Sequence, residues 1–164
     1  MVDSVLHGSE SAEAALKKVQ QLPFKLHRVR DRLSAHLRIV FEPFDLTDPQ
    51  WRVLRTLSVV AEIDTMALAN RAFLLGPSLS RILRDLAGRG LIIRRVDEAD
   101  ARRFHYCLTP QGRTLVNEVL PRFQPIYAMI AKEMGADKVA ELSDLLDHLT
   151  LILGAAFPVM TGNE

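Results

Sequence analysis

The sequence predicts a mainly α-helical protein that carries one small β-hairpin, and three observations predict it. Apolar residues recur at three- and four-residue steps through most of the chain, the period of a helix with one buried face. Only two short runs, 91–96 and 103–109, carry the β-branched and aromatic residues of adjacent strands. Proline and glycine fall between the periodic stretches, where they start or stop helices.

Residues 1–21 are polar and read as a flexible arm with some helical tendency. From 22 to 41, Phe24, Leu26, Val29, Leu33, Leu37 and Val40 mark the inner face of a first helix, which Pro43 breaks. Thr47 then offers a side-chain cap and Pro49 suits a first turn, so a second helix runs to about Val60. Ile63 and Asp64 are a candidate for a very short strand. A third helix is expected over 66–74, with Leu68, Ala69 and Ala72 inward. A sharp turn follows at 75–77. A fourth helix over 78–88 turns Leu79, Ile82, Leu83 and Leu86 inward and ends at Gly90. The two strands come next, joined by a polar tip at 97–102. A long helix from 109 to about 134 contains Pro121 and Pro125, which should bend or interrupt it. A last helix spans 137–153, and 155–164 reads as a loose tail.

Net charge is +1, but its distribution is uneven. Residues 65–113 hold nine arginines against four acids, while 114–164 hold three basic residues against seven acids. Arginine presents a planar fork that matches phosphate oxygens and guanine edges, so a block of this kind is an expected footprint of nucleic-acid binding. No apolar run reaches bilayer length, and the first residues lack the apolar centre of a secretory signal, so a cytoplasmic protein is expected. One cysteine, Cys107, excludes an internal disulfide and any CxxC metal site. The histidines at 7, 27, 36, 105 and 148 show no ligand spacing. Neither a metal nor a cofactor is expected. No nucleophile elbow, phosphate loop or HExxH motif is present, so no catalytic residue is expected either.

Two short helices joined by a tight turn and followed by a hairpin make a winged helix-turn-helix over 46–113. The second helix of such a pair fills a major groove and its N-terminal side chains reach base edges. Here those are Pro77, Ser78, Ser80, Arg81 and Arg84, left outward once the leucines turn in. The hairpin tip adds Arg102 and Arg103. An exposed helix with solvated arginines is the plainer alternative for the helix taken alone.

The stretch 46–112 resembles the MarR family of transcriptional regulators. The resemblance is carried by LTDPQWRVLRTL at 46–57, LANR at 68–71, SRILRDLAGRGLIIRR at 80–95, DARR at 100–103 and LTPQG at 108–112. Within the family, QWRVLRTL, LANRAFLL and the following GPS are most similar to repressors of homoprotocatechuate degradation. The resemblance implies a homodimer held by helices from 22–45 and 114–154, reading a pseudo-palindromic site on double-stranded DNA with helix 77–88. It implies wing roles for Asp100 and Arg102, and a phosphate contact near Thr65 at a helix N-terminus. It also implies release of DNA by a small aromatic carboxylate or phenol. Candidates for holding such an effector are Ser34, Arg38, Trp51 and Arg55, with His27 and His36 nearby. Core packing is the alternative for Trp51, and ion pairing for the arginines. A regulator that senses no small molecule, and a protein-binding winged helix, are the other readings.

Overall fold

The computed structural model describes residues 3–97, 100 and 103–156. They fall into two compact units, Met1–Pro121 and Arg122–Glu164. The first unit holds α1 (Asp3–Phe41), α2 (Asp48–Ser58), β1 (Ile63–Asp64), α3 (Thr65–Ala72), α4 (Gly76–Gly88), β2 (Ile92–Val96), β3 (Phe104–Leu108) and α5 (Pro110–Val119). The second holds α6 (Gln124–Met134) and α7 (Ala136–Ala156), which pack on each other. A 3-10 turn at Leu120–Phe123 separates α5 from α6, so the prolines at 121 and 125 do interrupt the long helix. Pro125 sits in the first turn of α6, where its missing N–H costs no hydrogen bond.

The main departure from the sequence reading is at the N-terminus. An arm over 1–21 was expected ahead of a helix starting at 22, but α1 is helical from Asp3. The run 11–21 is dominated by Ala, Leu, Lys, Gln and Glu, all strong helix formers. Lys17 Nζ lies 2.8 Å from Glu13 Oε1, one turn back. Pro23 lies inside α1, so a single proline did not end the helix. At the other end α7 continues to Ala156, and the rest of the expected tail lies outside the described residues.

The three strands form an antiparallel sheet in the order β1-β3-β2. Ile63 lies opposite Tyr106, and Arg94 opposite Tyr106 on the other side. The core of the first unit comes from one face of each element. Trp51, Val53, Leu54 and Leu57 of α2, Leu68 and Ala72 of α3, and Leu79, Leu83 and Leu86 of α4 meet Ile92, Tyr106 and Leu108 of the sheet and Val116 of α5.

Local chemistry sets where each helix begins. At α2 the Thr47 hydroxyl accepts from Gln50 N, while Gln50 Oε1 accepts from Thr47 N at 2.7 Å, a reciprocal capping box. Helix α4 starts at Gly76, two residues earlier than expected, because Pro77 fits inside the first turn. Arginines then tie the helices together. Arg52 Nη1 donates to the carbonyls of Ala72 at 2.8 Å and Phe73 at 3.1 Å, setting a cation on the C-terminus of α3. Arg89 donates to the carbonyls of Asp45 and Phe44, pinning the α1–α2 connection to the end of α4.

The exit from the sheet is a close backbone approach. Thr109 N donates to the Leu91 carbonyl at 3.1 Å, and the Thr109 hydroxyl donates to the Gly90 carbonyl at 2.7 Å. The same hydroxyl accepts from Gly112 N at 2.9 Å, capping α5. This brings Gly112 so close to the Leu91 carbonyl oxygen that a Cβ would overlap it. The threonine and the glycine of the LTPQG run thus have one joint purpose: they press the start of α5 onto the start of β2.

Candidate nucleic-acid interface

Helices α3 and α4 are joined through Phe73, whose positive φ of 52° turns the chain sharply at the end of α3. Helix α4 then divides cleanly. Leu79, Leu83 and Leu86 are buried, and Pro77, Ser78, Ser80, Arg81 and Arg84 are all exposed. The division follows from spacing, since buried positions recur at four and three residues and leave Ser80, Arg81 and Arg84 on the other side.

Thr65 opens α3, yet the end of that helix is already occupied. Asp64 is its N-cap, and Asp64 Oδ1 accepts from the N–H groups of Met66 and Ala67, both at 2.9 Å. The Ala67 hydrogen bond, seconded by that of Met66 and by the nearby charges of Arg103 and His105, holds the Asp64 carboxyl below its ordinary range, against an opposing effect of burial. The Thr65 hydroxyl donates to the Phe104 carbonyl at 3.3 Å. Two of the N–H groups that a phosphate would meet here are therefore taken by a carboxylate of the protein itself.

The wing rises from β2 and β3 on a closed set of hydrogen bonds. Asp97 N donates to the Arg103 carbonyl at 3.0 Å, and Arg103 N to the Asp100 carbonyl at 2.9 Å. Asp97 Oδ1 accepts from Asp100 N at 3.0 Å, and Asp97 Oδ2 lies 2.8 Å from His105 Nε2. His105 Nδ1 is 3.6 Å from Glu62 Oε1, and Arg95 Nη1 is 3.6 Å from Glu62 Oε2. Arg103 Nη2 reaches to 3.9 Å from Asp64 Oδ2 and remains exposed. Asp100 is exposed in this turn. Arg102 lies outside the described residues.

The basic block is thus not uniform. Arg89 is spent on carbonyls, and Arg95 and Arg103 face carboxylates. Among the described residues, Arg81, Arg84 and Arg94 form no ion pair. Arg94 was not among the candidates. It sits 3.9 Å over the Phe104 ring and lines a cleft with Ser80 and Arg84. The signal for it was strand alternation, which puts Arg94 on the face of the buried Ile92 rather than with Arg95.

The effector candidates fall on two helices. Ser34 is half-buried and Arg38 exposed one turn further along α1. Trp51 is 7% exposed, its ring centroid 6.2 Å from that of Phe41. Arg55 is exposed and donates from Nη1 to Ser58 Oγ at 2.9 Å. His36 is exposed, and His27 lies 3.2 Å from Asp31. Helices α1 and α2 pack together, but the clefts beside α3, α4 and the sheet are lined by other residues. Among the described residues no group of three His, Cys, Asp or Glu side chains is placed to hold a metal, and no helix is long and apolar enough to cross a membrane.

A helix-turn-helix whose outward helix stands beside a three-stranded sheet and its hairpin is the winged-helix class of DNA-binding domain. The MarR family model matches residues 44–103, from just before α2 to the residue before β3. The chain is 35% identical over 127 residues to the HTH-type transcriptional regulator FarR of Neisseria gonorrhoeae, covering 77% of this chain and 87% of that one. It is 31% identical, over 77% of this chain and 86% of the other, to the homoprotocatechuate degradative operon repressor of Escherichia coli. Among solved structures, it is similar to NadR in complex with 4-hydroxyphenylacetate, with a TM-score of 0.69, 34% identity, and 77% and 89% of the two chains covered. It is similar also to a C80S mutant of MarR from E. coli complexed with operator DNA, with a TM-score of 0.74, 25% identity, and 80% and 95% covered. The chain belongs to the MarR family of transcriptional regulators.

Proposed function

We propose that the protein is a dimeric repressor that reads a two-fold-related operator with α4 and its wing and releases it on binding a small aromatic acid. The observation that carries the DNA reading is the division of α4, with three leucines buried and Ser80, Arg81 and Arg84 turned out beside the wing. Serine and arginine at these positions hydrogen-bond base edges, while Arg102 and Arg103 of the wing meet the adjacent minor groove or its phosphates. Asp100 shapes the wing turn rather than touching DNA. The likeness to the MarR structure with operator DNA supports this arrangement.

The dimer is supported by apolar residues left open on the terminal helices. Phe24 and Val29 of α1 are 79% and 63% exposed, and Leu145 and Leu151 of α7 are 58% and 71% exposed. A second copy burying such faces would place two α4 helices on half-sites about one helical turn apart. The effector reading rests on the likeness to NadR with bound 4-hydroxyphenylacetate and to the homoprotocatechuate repressor. Arg38 and Arg55 are the groups suited to a carboxylate, near Ser34, with Trp51 as the apolar floor between α1 and α2.

The test is selection of bound duplexes from a random pool, followed by release. Enrichment of an inverted repeat with half-sites about 10 base pairs apart is expected. Hydroxylated phenylacetates are expected to lower the bound fraction, and Arg38→Ala or Arg55→Ala to blunt that release without weakening DNA binding. Failure to enrich any sequence contradicts the DNA reading. Release by none of the acids contradicts the effector reading.

A further inference from the structure

Strand β2 had no assigned role in binding, yet the structure gives one of its residues a distinct position. In the β2–β3 register, Arg94 lies opposite Tyr106 and Val96 opposite Phe104, so these four side chains share one face of the sheet. Near α5 that face is closed, with Ile92, Tyr106 and Leu108 buried. Toward the wing it opens into a cleft of about 460 Å³ between the sheet and α4. Arg94 and Phe104 form one wall, and Ser80 and Arg84 of α4 form the other. Among the described residues no acidic side chain lines it.

The two arginines are held differently from their neighbours. Arg95 and Arg103 lie near carboxylates that offset their charge. Arg94 is held by the Phe104 ring, 3.9 Å from its guanidinium carbon, a contact that engages the cation without using any of its N–H donors. Position gives the cleft its occupant. With α4 in a major groove and the wing over the neighbouring minor groove, the strand that separates the two grooves must cross the gap between α4 and the wing. That gap is this cleft.

We propose that the cleft seats one phosphodiester group of the DNA backbone, bound by Arg94, while Ser80 and Arg84 on the opposite wall reach past it to the base edges. The inference rests on the DNA reading above and adds Arg94 as a phosphate-binding residue, with Phe104 as the residue that positions it.

Affinity is to be measured against salt concentration for the selected duplex and for an unrelated one, with the full-length protein and its Arg94→Gln, Arg94→Lys and Arg95→Gln variants. Arg94→Gln is expected to weaken both duplexes by the same factor, about tenfold. It should also lower the slope of log affinity on log salt by about one. Arg94→Lys should keep most of the slope, and Arg95→Gln, on the opposite face, should change it little. A neutral methylphosphonate at the phosphate between the two grooves should weaken the wild type as Arg94→Gln does, and weaken that variant no further. This last cycle separates a lost contact from a loosened fold, since a variant that is merely unstable would still lose affinity on the modified duplex. Wild-type binding with an unchanged slope in Arg94→Gln, or a loss confined to one base pair of the selected sequence, overturns the proposal and leaves the DNA reading intact. A wild type that binds no duplex overturns the DNA reading itself.

Discussion

Replacing Gly112 by alanine is expected to cost roughly 3 kcal/mol of stability, although alanine is the better helix former. The new methyl carbon would overlap the Leu91 carbonyl oxygen and come within 3.2 Å of Leu108 Cδ2. The first of these is backbone, so it cannot swing aside, and α5 must lift from the end of the sheet. Lifting strains the Thr109 cap on Gly112 N, worth about 1 kcal/mol. It also strains the bond from Thr109 N to the Leu91 carbonyl, worth about 1 kcal/mol more. Overpacking adds about 1–3 kcal/mol, and the gain in helix propensity returns about 1 kcal/mol. Urea denaturation followed by circular dichroism, at one fixed protein concentration, measures the difference. Gly88→Ala is the matched control, because no atom lies within 4 Å of its Cβ position. That variant should be as stable as the wild type or more so by up to about 1 kcal/mol. If Gly112→Ala unfolds at the wild-type midpoint or above it, the close approach of α5 to Leu91 is wrong.

Other outcomes follow from the caps, the core and the wing. Asp64→Ala should cost about 1 kcal/mol at neutral pH through loss of the α3 cap. Because the folded carboxyl titrates below its ordinary value, this contribution is present above that value and is lost as pH falls through the lowered one. The gap between wild type and Asp64→Ala should therefore close as pH drops below about 4, as read from denaturation midpoints; a constant gap refutes the cap. Trp51→Ala should cost about 3–5 kcal/mol, since the buried ring packs on Phe41. Being the only tryptophan, Trp51 should also emit at short wavelength when folded and shift to the red on unfolding; an emission already at the exposed position contradicts its burial. Asp97→Ala should speed hydrogen exchange at the amide of Asp100, whose partner it removes, while leaving the amides of α2 unchanged.

Much of this architecture was legible because it depends on single local signals. Thr47, Pro49 and Gln50 write a helix start in four residues, and the β-branched and aromatic residues of 91–96 and 103–109 write two strands. The outward residues of α4 were legible for the same reason, as leucine spacing leaves them no other side. What could not be read depends on competition between signals or on contacts across the chain. The helix formers of 11–21 outweigh Pro23, so α1 is far longer than its apolar stripe suggested. The residue at the α3–α4 corner is a phenylalanine with positive φ where glycine would be the expected signal. The basic block looked like one surface, but Arg89 holds a helix end, and only the fold shows which arginines remain free of ion pairs. Trp51 was open to two readings, and a ring buried against Phe41 serves either as core or as the floor of a pocket.

The claim that α4 reads base identity is tested most directly by the sequence preference of Arg84→Ala beside that of the wild type, measured over a library of duplexes carrying every single-base change in the selected site. The account predicts that the variant loses discrimination at one position in each half-site, by about 1–3 kcal/mol, and keeps the wild-type profile elsewhere. A variant that binds more weakly with an unchanged profile at every position would place Arg84 on the backbone alone. A variant indistinguishable from the wild type in both affinity and profile would remove α4 from the interface.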